Sequence, residues 1–167
     1  MQIRPSFATD FEAILEIIND AAQAYRGVIP SDCWHEPYMS AAELTKEIAC
    51  GVNFWVVEDE GRPLSVMGIQ DKEDVALIRH AYTVTVSQRK GAGTMLLRHV
   101  AALTGKPLLI GTWADASWAI DFYKRNGFEV VSDHDKNLLL GEYWAIPTRQ
   151  VETSVVLVDS HWLKAKG

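Results

Sequence analysis

Between Phe54 and Trp113 the hydrophobic period of this chain switches from strand to helix and back again, and the order of those switches leaves few folds open. Three strand-like runs, Phe54 to Glu58, Leu64 to Gln70 and Val75 to Val86, are separated only by Asp59-Glu60-Gly61-Arg62-Pro63 and Asp71-Lys72-Glu73-Asp74. Links that short turn a chain back on itself, so the runs predict an antiparallel meander. From Gly91 the spacing is helical, with Leu96, Leu97, Val100 and Ala101 on one stripe that ends near Thr104-Gly105; Pro107 then leads into the apolar strand Leu108 to Trp113. Strand, helix and strand in succession form a crossover, which requires two parallel neighbours in the sheet. The expected fold is therefore α+β, with a mixed sheet.

The flanking segments extend this pattern. Gln2-Ile3-Arg4-Pro5 reads as a short strand, and the capping box Thr9-x-x-Glu12 predicts a helix over roughly residues 10–25, with Phe11, Ile14, Leu15, Ile18, Ala22 and Tyr25 on one face. A second capping box, Ser40-x-x-Glu43, opens a helix to Cys50. Between the two, Gly27 to Tyr38 has prolines, aromatics and ionisable groups without a period, which marks a loop suited to forming a substrate wall through Trp34, His35 and Glu36. After Trp113, Asp115 is placed to cap a helix running to Arg125, with strands expected at Phe128 to Val131 and Gln150 to Asp159 around a short segment Leu138 to Trp144. No repeat, low-complexity tract or linker divides the chain, so residues 1–167 are expected to form one domain.

Composition removes several classes of function. The chain is 48% hydrophobic and 23% charged, the profile of a folded domain and not of a disordered one. No apolar run approaches the roughly 20 residues of a membrane-spanning helix, and acidic residues stand where a signal peptide would be apolar, so a cytoplasmic protein without a membrane partner is expected. Sixteen Lys and Arg against 22 Asp and Glu give a net charge of -6, without a basic cluster to neutralise phosphates, which argues against a nucleic-acid partner. Cys33 and Cys50 lack the spacing of a zinc site and read as free thiols; no metal is expected.

The most informative local signal is Gln88-Arg89-Lys90-Gly91-Ala92-Gly93-Thr94, between the end of a strand and the start of an amphipathic helix. Glycine lets the backbone approach a ligand closely, and the first turn of a helix offers unpaired N–H groups at the positive end of its dipole. Such a turn suits a phosphate or pyrophosphate, with Arg89 and Lys90 adding charge beside it. A nucleotide P-loop would need its lysine after the glycines, and a dinucleotide fingerprint would need a glycine at Leu96; neither is present.

Gln88-x-x-Gly91-x-Gly93 resembles the [QR]-x-x-G-x-[GA] motif of the GNAT N-acetyltransferase superfamily, and Tyr123-Lys124-Arg125-Asn126-Gly127-Phe128 resembles that family's Tyr-x-x-x-Gly-Phe segment, in the right order. The resemblance covers nearly the whole chain. It implies a central, mostly antiparallel mixed sheet of six to seven strands flanked by helices, and acetyl-CoA as cosubstrate. By the same resemblance, backbone at Tyr82 and Thr83 pairs with the pantetheine arm, and Arg89, Lys90, Gly91, Ala92, Gly93 and Thr94, following Gln88, bind the pyrophosphate. Two positions depart from the family. Its usual asparagine seven residues before the tyrosine is Ala116 here, with Ser117 as a partial substitute, and its frequent proline three residues before Gln88 is Thr85.

Acetyl transfer to an amine needs a neutral nitrogen, a stabilised oxyanion and a proton for the departing thiolate. Tyr123 matches the family tyrosine that acts as general acid, and a phenol with a pKa near 10 is protonated at neutral pH. His80 shares a strand face with Tyr82 and is the candidate base, with Asp32, His35, Glu36, Glu58 and Glu142 as alternatives. The expected function is transfer of an acetyl group from acetyl-CoA to a primary amine, on a small molecule or a peptide, by direct attack. The alternative is a non-catalytic acyl-CoA sensor. Glu152 to Asp159, as an edge strand, would offer a route to a homodimer.

Overall fold

In the computed structural model, which describes residues 1–166, the strands are β1 (Gln2–Pro5), β2 (Val52–Asp59), β3 (Arg62–Lys72), β4 (Val75–Thr83), β5 (Leu108–Trp113), β6 (Glu129–Val130) and β7 (Ser154–Val158). The helices are α1 (Phe11–Ala22), α2 (Ala41–Ala49), α3 (Ala92–Ala101), α4 (Ser117–Arg125), α5 (Asp133–Tyr143), α6 (Thr148–Glu152) and α7 (Ser160–Lys166). The seven strands form one sheet in the order β1-β2-β3-β4-β5-β7-β6. β1 with β2, β2 with β3, β5 with β7 and β6 with β7 pair antiparallel. Only Glu73 and Asp74 separate β3 from β4, a link that permits nothing but an antiparallel return. The crossover through α3 makes β4 and β5 the one parallel pair, so the mixed, mostly antiparallel sheet expected from the sequence is the one present.

The chain divides into two units, one of Met1–Ala24, His35–Asp71 and Ile78–Gly105, the other of Tyr25–Trp34, Lys72–Leu77 and the chain from Lys106 onward. In the first, Ile14, Ile17 and Ile18 of α1 and Leu44 of α2 pack with Val52, Phe54, Val56 and Val66. These positions follow the helical and strand periods read from the sequence. In the second, Val75, Leu77, Leu109, Val156 and Val158 are covered by Leu139 and Leu140 of α5. No helix among the described residues is long and apolar enough to cross a membrane.

Several boundaries differ from the sequence reading, each for a local reason. A turn of 3-10 helix at Ala8–Asp10 precedes α1, so Thr9 does not cap it; the Asp10 carboxylate accepts the Phe7 N–H at 2.6 Å instead. Ser40 does cap α2, its Oγ accepting the Glu43 N–H at 3.1 Å. Asp115 is displaced from the cap of α4 by Ala116, which has no side-chain oxygen to offer. β4 stops at Thr83 rather than Val86, because Thr85–Ser87 is a 3-10 turn whose first amide is bonded to Asp20 and not to a strand. Leu138 to Trp144 falls largely inside α5, a helix capped by Ser132 Oγ at 3.2 Å from the Asp135 nitrogen. The run Gln150 to Asp159 splits: Pro147 starts α6, and β7 begins only at Ser154, whose hydroxyl donates to the Gln150 carbonyl at 2.6 Å. β7 lies between β5 and β6, so it is not the free edge that a strand-to-strand homodimer through Glu152 to Asp159 would use.

Candidate functional site

In the first unit, β4 from Ile78 onward, the glycine turn and α3 form a continuous segment. Arg89 is left-handed at φ 66°, and Gly91 takes φ 85° as the N-cap of α3 with open space where a side chain would be. Gly91 has no side chain to cap the helix, and no acidic residue stands in its first turn. The Met95 N–H donates to the Gly91 carbonyl at 3.0 Å, the i to i−4 bond that opens the helix. The amides of Ala92, Gly93 and Thr94 therefore belong to the turn in which a helix has no acceptors of its own. Arg89 and Lys90 are exposed beside it. Amides, dipole and two cations together suit a diphosphate.

The approach to this turn is already hydrogen-bonded. Gln88 Nε2 donates to the Thr83 carbonyl at 3.0 Å, and Ser65 Oγ donates to the Tyr82 carbonyl at 3.1 Å while lying 2.7 Å from Thr83 Oγ1.

His80, in the middle of β4, is left-handed at φ 54°. In a regular strand Arg79 and His80 would face opposite ways; one left-handed residue breaks the alternation, and both reach the same carboxylate. Glu47 Oε2 of α2 lies 3.3 Å from His80 Nε2 and 3.5 Å from an Arg79 nitrogen. His80 Nε2 is buried and makes no hydrogen bond. His80 foremost, and then Arg79, hold the Glu47 carboxyl below the ordinary carboxylate range against the desolvation of its half-buried position. Arg79 also donates to Gln70 Oε1 at 3.1 Å, and Gln70 to the Cys50 carbonyl at 2.9 Å. Glu47 has no sequence signal beyond its place on α2.

In the second unit, Tyr123 is buried among Phe122 and Phe128, whose rings lie 5.1 and 6.0 Å away. Burial, with Tyr25 adding, pushes its phenol well above the ordinary value. The side chain is a protonated donor at neutral pH but a weaker acid than an ordinary phenol. Ser117 is exposed at the start of α4, and Trp118 beside it stacks on Tyr25 at 5.9 Å. Trp34 is half-buried in this unit.

His35 and Glu36 are exposed in the first unit, where His35 Nδ1 lies 2.9 Å from the Pro37 carbonyl and its ring stacks on Tyr38 at 6.1 Å. Two of the alternative bases are engaged elsewhere: Glu58 accepts Arg4 Nε at 2.8 Å, and Asp32 accepts Arg149 Nε at 2.8 Å. Glu142 is exposed.

Comparison with known proteins gives consistent results. Residues 51–130 match the acetyltransferase (GNAT) domain family. The fold is similar to that of the PaiA N-acetyltransferase from Thermoplasma acidophilum in complex with coenzyme A, at TM-score 0.72 and 17% identity, covering 95% of this chain and 97% of that one. It is also similar to a GNAT-family acetyltransferase from Staphylococcus aureus Mu50, at TM-score 0.70, 15% identity and coverage of 95% and 97%. A third similar structure is the ribosomal-protein-S18-alanine N-acetyltransferase from Escherichia coli, at TM-score 0.64, 15% identity and coverage of 95% and 92%. No curated protein sequence matches this chain.

Proposed function

We infer, for a chain whose residues 51–130 match the acetyltransferase (GNAT) domain family, that it is an N-acetyltransferase using acetyl-CoA to modify a primary amine by direct attack. The observation that carries this reading is the uncapped start of α3: three first-turn amides, an N-cap glycine at φ 85° and no competing acid. The residues fit the cosubstrate. Ala92, Gly93 and Thr94 amides would hold its diphosphate with Arg89 and Lys90, and Tyr82 and Thr83 would meet its extended arm. Ser117 would contribute at the start of α4. Acetyl-CoA supplies the acetyl group already activated as a thioester.

The remaining work falls to side chains. The amine must lose a proton as its nitrogen bonds to the acetyl carbon, and His80 is the group we assign to receive it. The sulfur that leaves must gain one, and Tyr123 is protonated and able to give it. Because burial raises the Tyr123 pKa, the phenol stays protonated near neutral pH, and the base alone should shape the pH profile there. Trp34, His35 and Glu36 are assigned to the acceptor side, which takes a small-molecule or peptide amine. Action in the cytoplasm agrees with the free thiols Cys33 and Cys50.

Calorimetry with CoA and acetyl-CoA tests the premise; no saturable binding at millimolar levels would end it. With an amine panel and thiol release as readout, Tyr123→Phe should lower turnover at saturating acetyl-CoA by about 100-fold or more. An unchanged rate would remove Tyr123 from the mechanism. One observation favours a second reading: Ala116 is fully buried and provides no polar group at the start of α4. Tight CoA binding without thiol release for any amine would identify a sensor.

A further inference from the structure

Asp20 is an acidic residue in the last turn of α1, the end at which a helix dipole disfavours negative charge. Its Oδ2 accepts two bonds from one distant residue, from the Thr85 N–H at 2.7 Å and from Thr85 Oγ1 at 3.0 Å. Thr85 opens the 3-10 turn between β4 and the glycine turn, and the first amide of such a turn has no acceptor within it. The turn is otherwise closed by the Ser87 N–H to the Val84 carbonyl at 2.9 Å and by a longer bond from the Gln88 N–H to the Thr85 carbonyl at 3.3 Å. Asp20 thus anchors to α1 a short segment that holds itself together weakly.

We propose that Asp20 is a positioning residue for the cosubstrate turn: by fixing Thr85 it sets the path of the backbone into Gln88–Thr94 and so aims the amides that grip the diphosphate. The proposal rests on the reading of that turn given above. A segment ordered before the ligand arrives loses less conformational freedom on binding, and the anchor converts that into affinity. A carboxylate with no such role would act on a nearby anion only by repulsion. Removing it would then leave CoA binding unchanged or tighten it, the opposite sign from the loss of an anchor.

Both Thr85 donors meet the same oxygen, so the single carbonyl oxygen of asparagine can accept both. CoA affinity measured by calorimetry at fixed salt should fall roughly fivefold to tenfold in Asp20→Ala, the order expected for losing hydrogen bonds to a charged group at an exposed site. Asp20→Asn should restore it to within about twofold of the parent, since it keeps the acceptor and removes the repulsion. The Thr85 amide should exchange faster with solvent in Asp20→Ala than in Asp20→Asn. CoA binding in Asp20→Ala as tight as in the parent, or equal losses in both variants, would overturn the proposal. Should Asp20→Ala not fold, Thr85→Val removes one of the two donors and should give a smaller loss; no loss would overturn the proposal. Failure of the parent to bind CoA would refute the cosubstrate reading, whereas Thr85 amide exchange still reports on the anchor.

Discussion

His80 is held by a backbone conformation that only glycine adopts freely. At φ 54° its Cβ crowds the backbone, a cost of roughly 1–2 kcal/mol for an L-residue. Strain of this kind is a mark of functional positions, and it aims the imidazole and the Arg79 guanidinium at one carboxylate. His80→Gly should therefore be more stable to urea than His80→Ala by about 1 kcal/mol, although both lose the ring; alanine equal to or better than glycine would refute the strain. Tyr123 and His80 could be named as candidates from the chain, by a motif spacing and a strand period. Their chemical states were not. Burial of Tyr123 beside Tyr25, and of His80 Nε2 against Glu47, depends on residues far away in sequence.

At the junction of β1 and α1, Arg4 is clamped between two carboxylates. It donates to Asp10 at 2.7 and 3.0 Å and to Glu58 at 2.8 Å. The Arg4 hydrogen bonds hold the Asp10 pKa below its ordinary value against desolvation, with the Phe7 amide adding, and Glu47 is lowered by His80 in the same sense. A depressed carboxyl pKa contributes stability that is fully present above the unfolded value of about 4 and is lost as pH falls through the folded value. The urea midpoint should therefore not decline through loss of these pairs until pH drops below about 5, and should then fall steeply. Asp10→Asn should cost about 1–3 kcal/mol at pH 7 and flatten that acid slope; an unaltered slope would place the acid sensitivity elsewhere. Element identity was read well where a signal is local, as with Ser40 capping α2, and less well where it is shared. Thr9 was expected to cap α1, but the Asp10 carboxylate instead takes the Phe7 amide and Arg4, partners that the Thr9-x-x-Glu12 spacing does not name.

Among the described residues, two buried clusters contribute to the stability of the molecule, one around Ile14, Ile18 and Leu44, the other around Leu109, Leu139 and Leu140. Ile18 and Leu140 are at most 1% exposed. Truncating either to alanine removes buried methyl groups and leaves a cavity, so Ile18→Ala and Leu140→Ala should each cost about 2–5 kcal/mol in chemical unfolding. A change below 1 kcal/mol in either would mean that its cluster is not part of the cooperative core.

Strand and helix periods, the crossover that makes one strand pair parallel, and the amide-rich turn at Gly91 could all be read from residue order. Each depends on neighbours within a few positions, where backbone geometry and side-chain spacing are dictated by local chemistry. Long-range pairing was a different matter: Glu47 came to His80, Asp20 to Thr85 and β7 to the interior of the sheet only through the packing of the folded chain. Those contacts join segments tens of residues apart, and nothing in local spacing specifies which of several solvent-ready charges or apolar strands will meet.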